Sequence, residues 1–298
     1  MAASTSPAAL LDIALLQKLS RLRLASRRIH GAPGEGWRRS RRRGSSIEFA
    51  DYREYVHGDD FRQIDWNIYG RLGRLFLKLR EDEENLGVHI LIDVSRSMDW
   101  GTFNKLAYAR RLAAALGYVA LAGYDRLMIT TFSDRLHESL PPTRGRANIF
   151  RVFQFLDELR PHGETDFRRA LRSYASRRGA TGLAIVLSDF MAGSAYDGLQ
   201  ALLDKGFELW AIHLLDPTEL RPDLKGDLQL IDSESNEAVD LTTDEHVLER
   251  YRQRLASWCN GLEAFCARRE AFYLLVDTSV PLEDLLFHTL RPRRMLIT

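Results

Sequence analysis

Residues 88–101 read VHILIDVSRSMDWG, and the reading of this stretch decides the fold. VHILID is a near-continuous apolar run of strand length. A strand with no apolar–polar alternation belongs inside a parallel sheet covered on both faces. The run breaks at Asp93, and Ser95 and Ser97 follow at alternate positions. One reading of these three is an ordinary polar turn, because aspartate and serine favour turns. The other is the first three donors of a metal site, at the C-terminal end of a strand where such sheets hold ligands.

Working outward, the same alternation continues to the end of the chain. Residues 103–122 carry helical periodicity through Leu106, Ala109, Leu112, Ala113, Leu116, Val119 and Ala120. DRLMITTF (125–132) reads as a strand, and residues 147–159 and 166–178 as helices. GLAIVLSDF (182–190) reads as a strand, 195–205 as a helix and FELWAIHLL (207–215) as a strand. Residues 244–268 read as helical, AFYLLV (271–276) as extended and PLEDLLFHTL (281–290) as helical. Apolar strands separated by helices predict an α/β domain over 87–298. Its core is a doubly wound, mostly parallel sheet with helices on both faces. The stretch 216–243 interrupts the alternation and reads as a hairpin insert: DLQLID, a turn at Ser235-Asn236, then AVDL.

Two segments precede this domain. Residues 1–30 contain AALLDIALLQKLSRLRLA (8–25), whose three-and-four leucine spacing predicts an amphipathic helix docked on its own protein. A membrane-surface or partner helix is the alternative. Residues 31–86 begin with GAPGEGWRRSRRRGSS (31–46), a glycine-, serine- and arginine-rich loop. They continue into a stretch of aromatic, arginine and acidic residues. Gly58-Asp59-Asp60 reads as a turn opening a short helix capped by one of the aspartates. Trp66 and Tyr69 are expected to pack beneath it, and RLFLKLR (74–80) to form a strand exposed on one face.

The 298 residues are 45% hydrophobic and 28% charged, the make-up of an ordinary globular protein. The formal charge of +1 excludes the whole chain as a polyanion binder. Charge is instead local: residues 21–43 hold many arginines and one acid, Glu35. Cys259 and Cys266 sit roughly 10 Å apart along a helix, too far for a disulfide, and read as buried thiols. With no secretory signal and no apolar run of membrane length, a cytoplasmic location is expected. No phosphate-binding GxxxxGK[ST] loop, GxSxG elbow or HxxxH pair is present, which removes the commonest NTPase, serine-hydrolase and zinc chemistries.

Two serine hydroxyls alone would not hold a cation, since hard divalent ions want about six oxygens. Further donors stand where other strands and loops end: Thr165 in GETDF (163–167), before a helix, and Asp189 after GLAIVLS. Together these residues resemble the metal-ion-dependent adhesion site of the von Willebrand factor type A fold. That motif is D-x-S-x-S, then a threonine, then an aspartate, on successive loops over a doubly wound sheet. The resemblance implies direct Mg²⁺ ligation by Ser95, Ser97 and Thr165, with Asp93 and Asp189 binding directly or through water. Mn²⁺ or Ca²⁺ are alternatives. Three neutral hydroxyls leave such a metal electrophilic, suited to taking a partner's carboxylate. Hydrolysis would need a general base; Asp99 and Glu164 are the nearby acids, but they read as turn and loop residues.

Phe49, Arg53, Tyr55, Gly58, Asp59, Asp60, Arg62, Ile64, Asp65 and Trp66 follow the pattern F-x-x-x-R-x-Y-x-x-G-D-D-x-R-x-I-D-W. This closely resembles the signature of the bacterial "domain of unknown function 58" family, over roughly residues 35–290. The resemblance implies an adaptor, not an enzyme, working with a MoxR-type AAA+ ATPase. No small-molecule substrate is expected. Arg53, Asp59, Asp60, Arg62, Asp65 and Trp66 become candidate partner-binding residues. The competing expectations are nucleic-acid binding through WRRSRRRG (37–44) and a metal-dependent hydrolase; balanced charge and the lack of a stacking platform weigh against the first.

Overall fold

The computed structural model describes residues 10–26, 52–55, 64, 66–78, 86–177, 179, 181–223, 226–231, 238–243 and 245–298. The chain divides into two compact units: Met1–Arg28 with Leu86–Thr298, and Ile29–Asn85.

The larger unit is a mixed α/β structure around a six-stranded, mostly parallel sheet. Its central strand, β4 (Gly87–Asp93), is buried along its whole length. Helix α3 (Lys105–Ala122) leads to β5 (Arg126–Phe132) and β6 (Leu136–Thr143), which lie to one side of β4. The chain then passes through α4 (Ile149–Asp157) and α5 (Phe167–Ala175) and crosses to the other side. There it lays down β7 (Leu183–Ser188), β8 (Glu208–Leu215) and finally β11 (Phe272–Asp277). Helices α6 (Ala195–Lys205) and α8 (Glu245–Ala267) join these strands. Only β6 runs antiparallel.

Both sheet faces are covered. Val88, Ile90 and Ile92 of β4 share one apolar cluster with α3 and α4, while Leu91 shares a second with α5, α6 and α8. This is why VHILID needs no polar face. Strand β6 gave no apolar run to read, because LHESLPPT lies on the sheet edge with four of its eight residues exposed. Pro141 and Pro142 are tolerated there, since an edge strand leaves some N–H positions unpaired.

Two elements differ from the expectation. The N-terminal helix α1 is short, Ile13–Leu19, with the Asp12 side chain accepting from the Leu15 N–H at 2.6 Å. Beyond it Leu22 and Leu24 are buried with exposed Arg23 between them, a period of two. Residues Arg23–Leu24 accordingly form β1, antiparallel to β12 (Leu296–Ile297). The segment read as one helix over 281–290 is a short turn, Leu282–Asp284, that widens into a π-helix over Leu285–Leu290.

Strands β9 (Gly226–Ile231) and β10 (Ala238–Thr243) form an antiparallel hairpin within 216–243; its tip lies outside the described residues. Ahead of it a single helical turn, α7 (Pro217–Leu220), was not anticipated. Cys259 and Cys266 are free and buried. Among the described residues, no helix is long and apolar enough to cross a membrane.

In the smaller unit, β2 (Tyr52–Glu54) pairs antiparallel with β3 (Phe76–Lys78), with α2 (Trp66–Leu72) between them in sequence. Trp66 and Tyr69 meet edge to face at 6.1 Å, but Trp66 is 64% exposed, so it does not pack beneath a turn as expected.

Candidate metal centre at the strand switch point

In the order β11-β8-β7-β4-β5-β6, the strands after β4 run outward on one side and those from β7 onward on the other. The β4/β7 boundary is therefore where the winding reverses, and the crevice above their C-terminal ends is the expected binding place. Asp93 is the last residue of β4, and Asp189 follows immediately after β7.

Both carboxylates are buried and held by short local bonds. Asp93 accepts from the Ser95 N–H at 2.9 Å and from the Ser188 hydroxyl at 2.7 Å. Ser95 then opens a 3₁₀ turn (Arg96–Met98) that swings Ser97 back, bringing the two serine hydroxyl oxygens to 3.0 Å. Asp189 accepts from the Met191 N–H at 3.2 Å. Burial, and next the negative charge of Asp189, push the Asp93 carboxyl well above the usual carboxylate range, against the hydrogen bonds from Ser188 and Ser95. Burial also acts on Asp189, but there the Lys105 ammonium outweighs it and the carboxyl is held below its usual range.

Lys105 is one of three residues at the site, with Asp216 and Glu219, that the sequence did not reveal. It begins α3, is 1% exposed, and reaches Asp189 at 2.8 Å and Glu219 at 2.6 Å. Burial alone would lower the ammonium's proton affinity; the two carboxylates reverse that and raise it. A signal was present, because Lys105 falls four and seven residues before Ala109 and Leu112 on the same stripe. A cation at a helix N-terminus is also disfavoured by the helix dipole and asks for a compensating acid.

Glu219 is placed by a capping box at α7. Asp216 accepts from the Thr218 N–H at 2.9 Å, and Glu219 returns to accept from the Asp216 N–H at 2.8 Å. Asp216 also accepts from the Phe103 N–H at 2.8 Å, tying the loop after Ser97 to the end of β8. Gly101 allows that approach: its φ is +95°, and a Cβ there would stand 2.4 Å from an Asp216 oxygen.

Thr165 is half-buried in the loop before α5. Two backbone bonds fasten this loop to the Asp93–Ser97 turn: Arg96 N–H to Gly163 O at 3.0 Å and His162 N–H to Val94 O at 2.5 Å. The three segments predicted to supply donors therefore lie side by side. Of the candidate partner-binding residues, Arg53 lies in β2 and Trp66 in α2, whereas Asp59, Asp60, Arg62 and Asp65 lie outside the described residues. So does the arginine-rich 37–44.

The donor chemistry fits a hard cation. Among the described residues no group of three or more His, Cys, Asp or Glu side chains is poised for a metal. Asp93, Ser95, Ser97 and Asp189 instead form an oxygen set of two carboxylates and two hydroxyls, which suits Mg²⁺ more than a soft metal. Lys105 already claims one Asp189 oxygen, so any ion here shares that carboxylate with an ammonium.

The fold and this site define an α/β protein with a polar cluster at the switch point of a doubly wound sheet. The chain belongs to the family described as "Protein of unknown function DUF58", which matches residues 51–258. It is similar to the uncharacterized proteins Rv1480 of Mycobacterium tuberculosis (strain ATCC 25618 / H37Rv) and Mb1516 of Mycobacterium bovis (strain ATCC BAA-935 / AF2122/97). Each is 24% identical over 220 residues, covering 72% of this chain and 69% of the relative. Among solved structures it resembles the conserved hypothetical protein BatB from Bacteroides thetaiotaomicron, with TM-score 0.43 and 16% identity over 70% of this chain and 98% of that one. An aerotolerance-related membrane protein from Bacteroides fragilis NCTC 9343 matches with TM-score 0.42 and 18% identity over 65% and 92%.

Proposed function

We propose that the chain is a Mg²⁺-dependent protein-binding module of the von Willebrand factor type A kind, a cytoplasmic adaptor for a MoxR-type AAA+ ATPase. The observation that carries this reading is the oxygen cluster at the switch point together with the apolar side chains on its loops. Trp100, Phe103 and Met191 are 47%, 48% and 48% exposed. They follow Ser97 and Asp189 by a few residues, and exposed large apolar groups grouped this way mark binding surfaces.

In this reading Ser95, Ser97 and Thr165 hold the ion, with Asp93 and Asp189 bound directly or through water. When bound, the ion supplies an open charged position for an acidic side chain of the partner. Ser188 and the Ser95 N–H keep Asp93 in place, and Lys105 offsets the charge of Asp189. The ATPase as partner rests on the family signature at Phe49–Trp66.

The test is isothermal titration of Mg²⁺ into the full chain, followed by co-purification with a MoxR-type ATPase in Mg²⁺ or in EDTA. Saturable heat and Mg²⁺-dependent capture, both lost in Ser97→Ala and Asp93→Asn, are expected. Capture that is equal in EDTA overturns the metal-dependent reading.

A further inference from the structure

A second polar constellation lies on the same sheet, toward the starts of the strands. A cavity of about 290 Å³ opens between β4, β5 and β6 and the C-terminal ends of α5 and α6. His89, in its lining, is four residues before Asp93 along β4, roughly 13 Å at the rise of a strand.

The polar wall holds two side-chain pairs. The Ser139 and Thr130 hydroxyls are 3.1 Å apart, and the Tyr174 hydroxyl is 2.7 Å from His89 Nδ1. His89 Nε2 is buried and has no hydrogen-bond partner, and the same holds for Arg126 Nε. Buried polar atoms without partners cost free energy, and this end of the sheet carries two of them.

His89 Nε2 and the Arg126 guanidinium both lie close to Gly87: a Cβ added there would stand 3.2 Å from His89 Nε2 and 3.8 Å from an Arg126 terminal nitrogen. Arg177 and Lys205 also line the cavity, and among the described residues no aspartate or glutamate does. Arg177 lies over the Tyr174 ring, 5.5 Å from its centre. Leu140, Pro141 and Phe207 provide an apolar wall. Burial, and next the charge of Arg126, hold His89 at a pKa of about 4, so at neutral pH the imidazole is uncharged.

We propose that this cavity binds a small organic anion. Its carboxylate or phosphate head pairs with the Arg126 guanidinium, with Arg177 and Lys205 on the same lining, and its apolar body lies against Leu140, Pro141 and Phe207. The site is separate from the oxygen cluster at the other ends of the strands and does not depend on a metal there.

The test is a titration of the full-length, ¹⁵N-labelled protein with benzoate, phenyl phosphate and inorganic phosphate, following the His89 ring and Arg126 Nε resonances. Benzoate or phenyl phosphate is expected to shift both saturably. Arg126→Gln should weaken binding by about tenfold or more, as loss of a charge-assisted bond does. Lys205→Gln, at an exposed position, should weaken it less, and Asp93→Asn should leave it unchanged. An unshifted His213 ring signal reports that each variant is folded. Inorganic phosphate binding as tightly as phenyl phosphate would overturn the apolar-body assignment. No saturable shift with any probe up to about 10 mM, or binding undiminished in Arg126→Gln, would overturn the site.

Discussion

At the scale of single residues, Lys105 bears on both stability and metal affinity. Removing a buried partner from Asp189 and Glu219 leaves uncompensated charge, at a cost of about 3–5 kcal/mol. Urea unfolding of Lys105→Met without divalent ions is expected to show that loss. Excess Mg²⁺ should narrow it, because a cation near Asp189 replaces the missing ammonium. An equal loss with and without Mg²⁺ would mean that the ion does not reach Asp189. His89 gives a pH prediction. Its folded pKa of about 4 lies below the ordinary 6.5, so between these values the unfolded chain binds a proton that the folded chain refuses. Its contribution is complete above pH 6.5 and declines as pH falls toward 4, by about 3 kcal/mol in all. Asp125, which burial pushes up to about 6, works in the opposite direction. The readout is therefore the difference from His89→Gln, whose stability should fall less over that interval. Asp93, Ser95, Ser97 and Asp189 were legible because a carboxylate directly after an apolar strand stands out. Lys105 was not, because a lysine in a helix reads as solvated until its place on the buried stripe is counted. Asp216 and Glu219 were hidden in a stretch with no period at all.

Among the elements, α3 is the central support. Fourteen of its eighteen residues are buried, and Leu106, Leu112 and Leu116 are fully enclosed against the sheet. Leu116→Ala is expected to cost about 2–5 kcal/mol, measured as a shift in the urea midpoint at unchanged slope. A cost under about 1 kcal/mol would mean that the neighbouring helices close the gap. The parallel strands could be read from sequence because burial on both faces removes polar residues from them. Edge strand β6 could not, since exposure returns polar residues and prolines to it. The end of α1 was misplaced for a related reason. LSRLRLA suits a helical stripe as far as Leu19 and a strand after it, and only pairing with residues far along the chain decides between the two.

For the whole molecule, β1 and β12 join residues 23–24 to residues 296–297. Met295 and Leu296 are buried in the same apolar cluster as Leu15, Leu19, Leu22 and Leu24. A chain ending at Arg294 is expected to unfold at lower urea concentration and to lose hydrogen-exchange protection at the α1 amides, measured by mass spectrometry. Unchanged protection there would show that α1 docks without the closing ribbon. This ribbon also sets a timetable for synthesis. Until residues 295–297 have been made, Leu22 and Leu24 lack the strand that pairs beside them, and part of the leucine-rich face over residues 10–24 stays open. A holdase that binds short leucine-rich peptides would therefore find its target early and let go once residues 296–297 pair with 23–24.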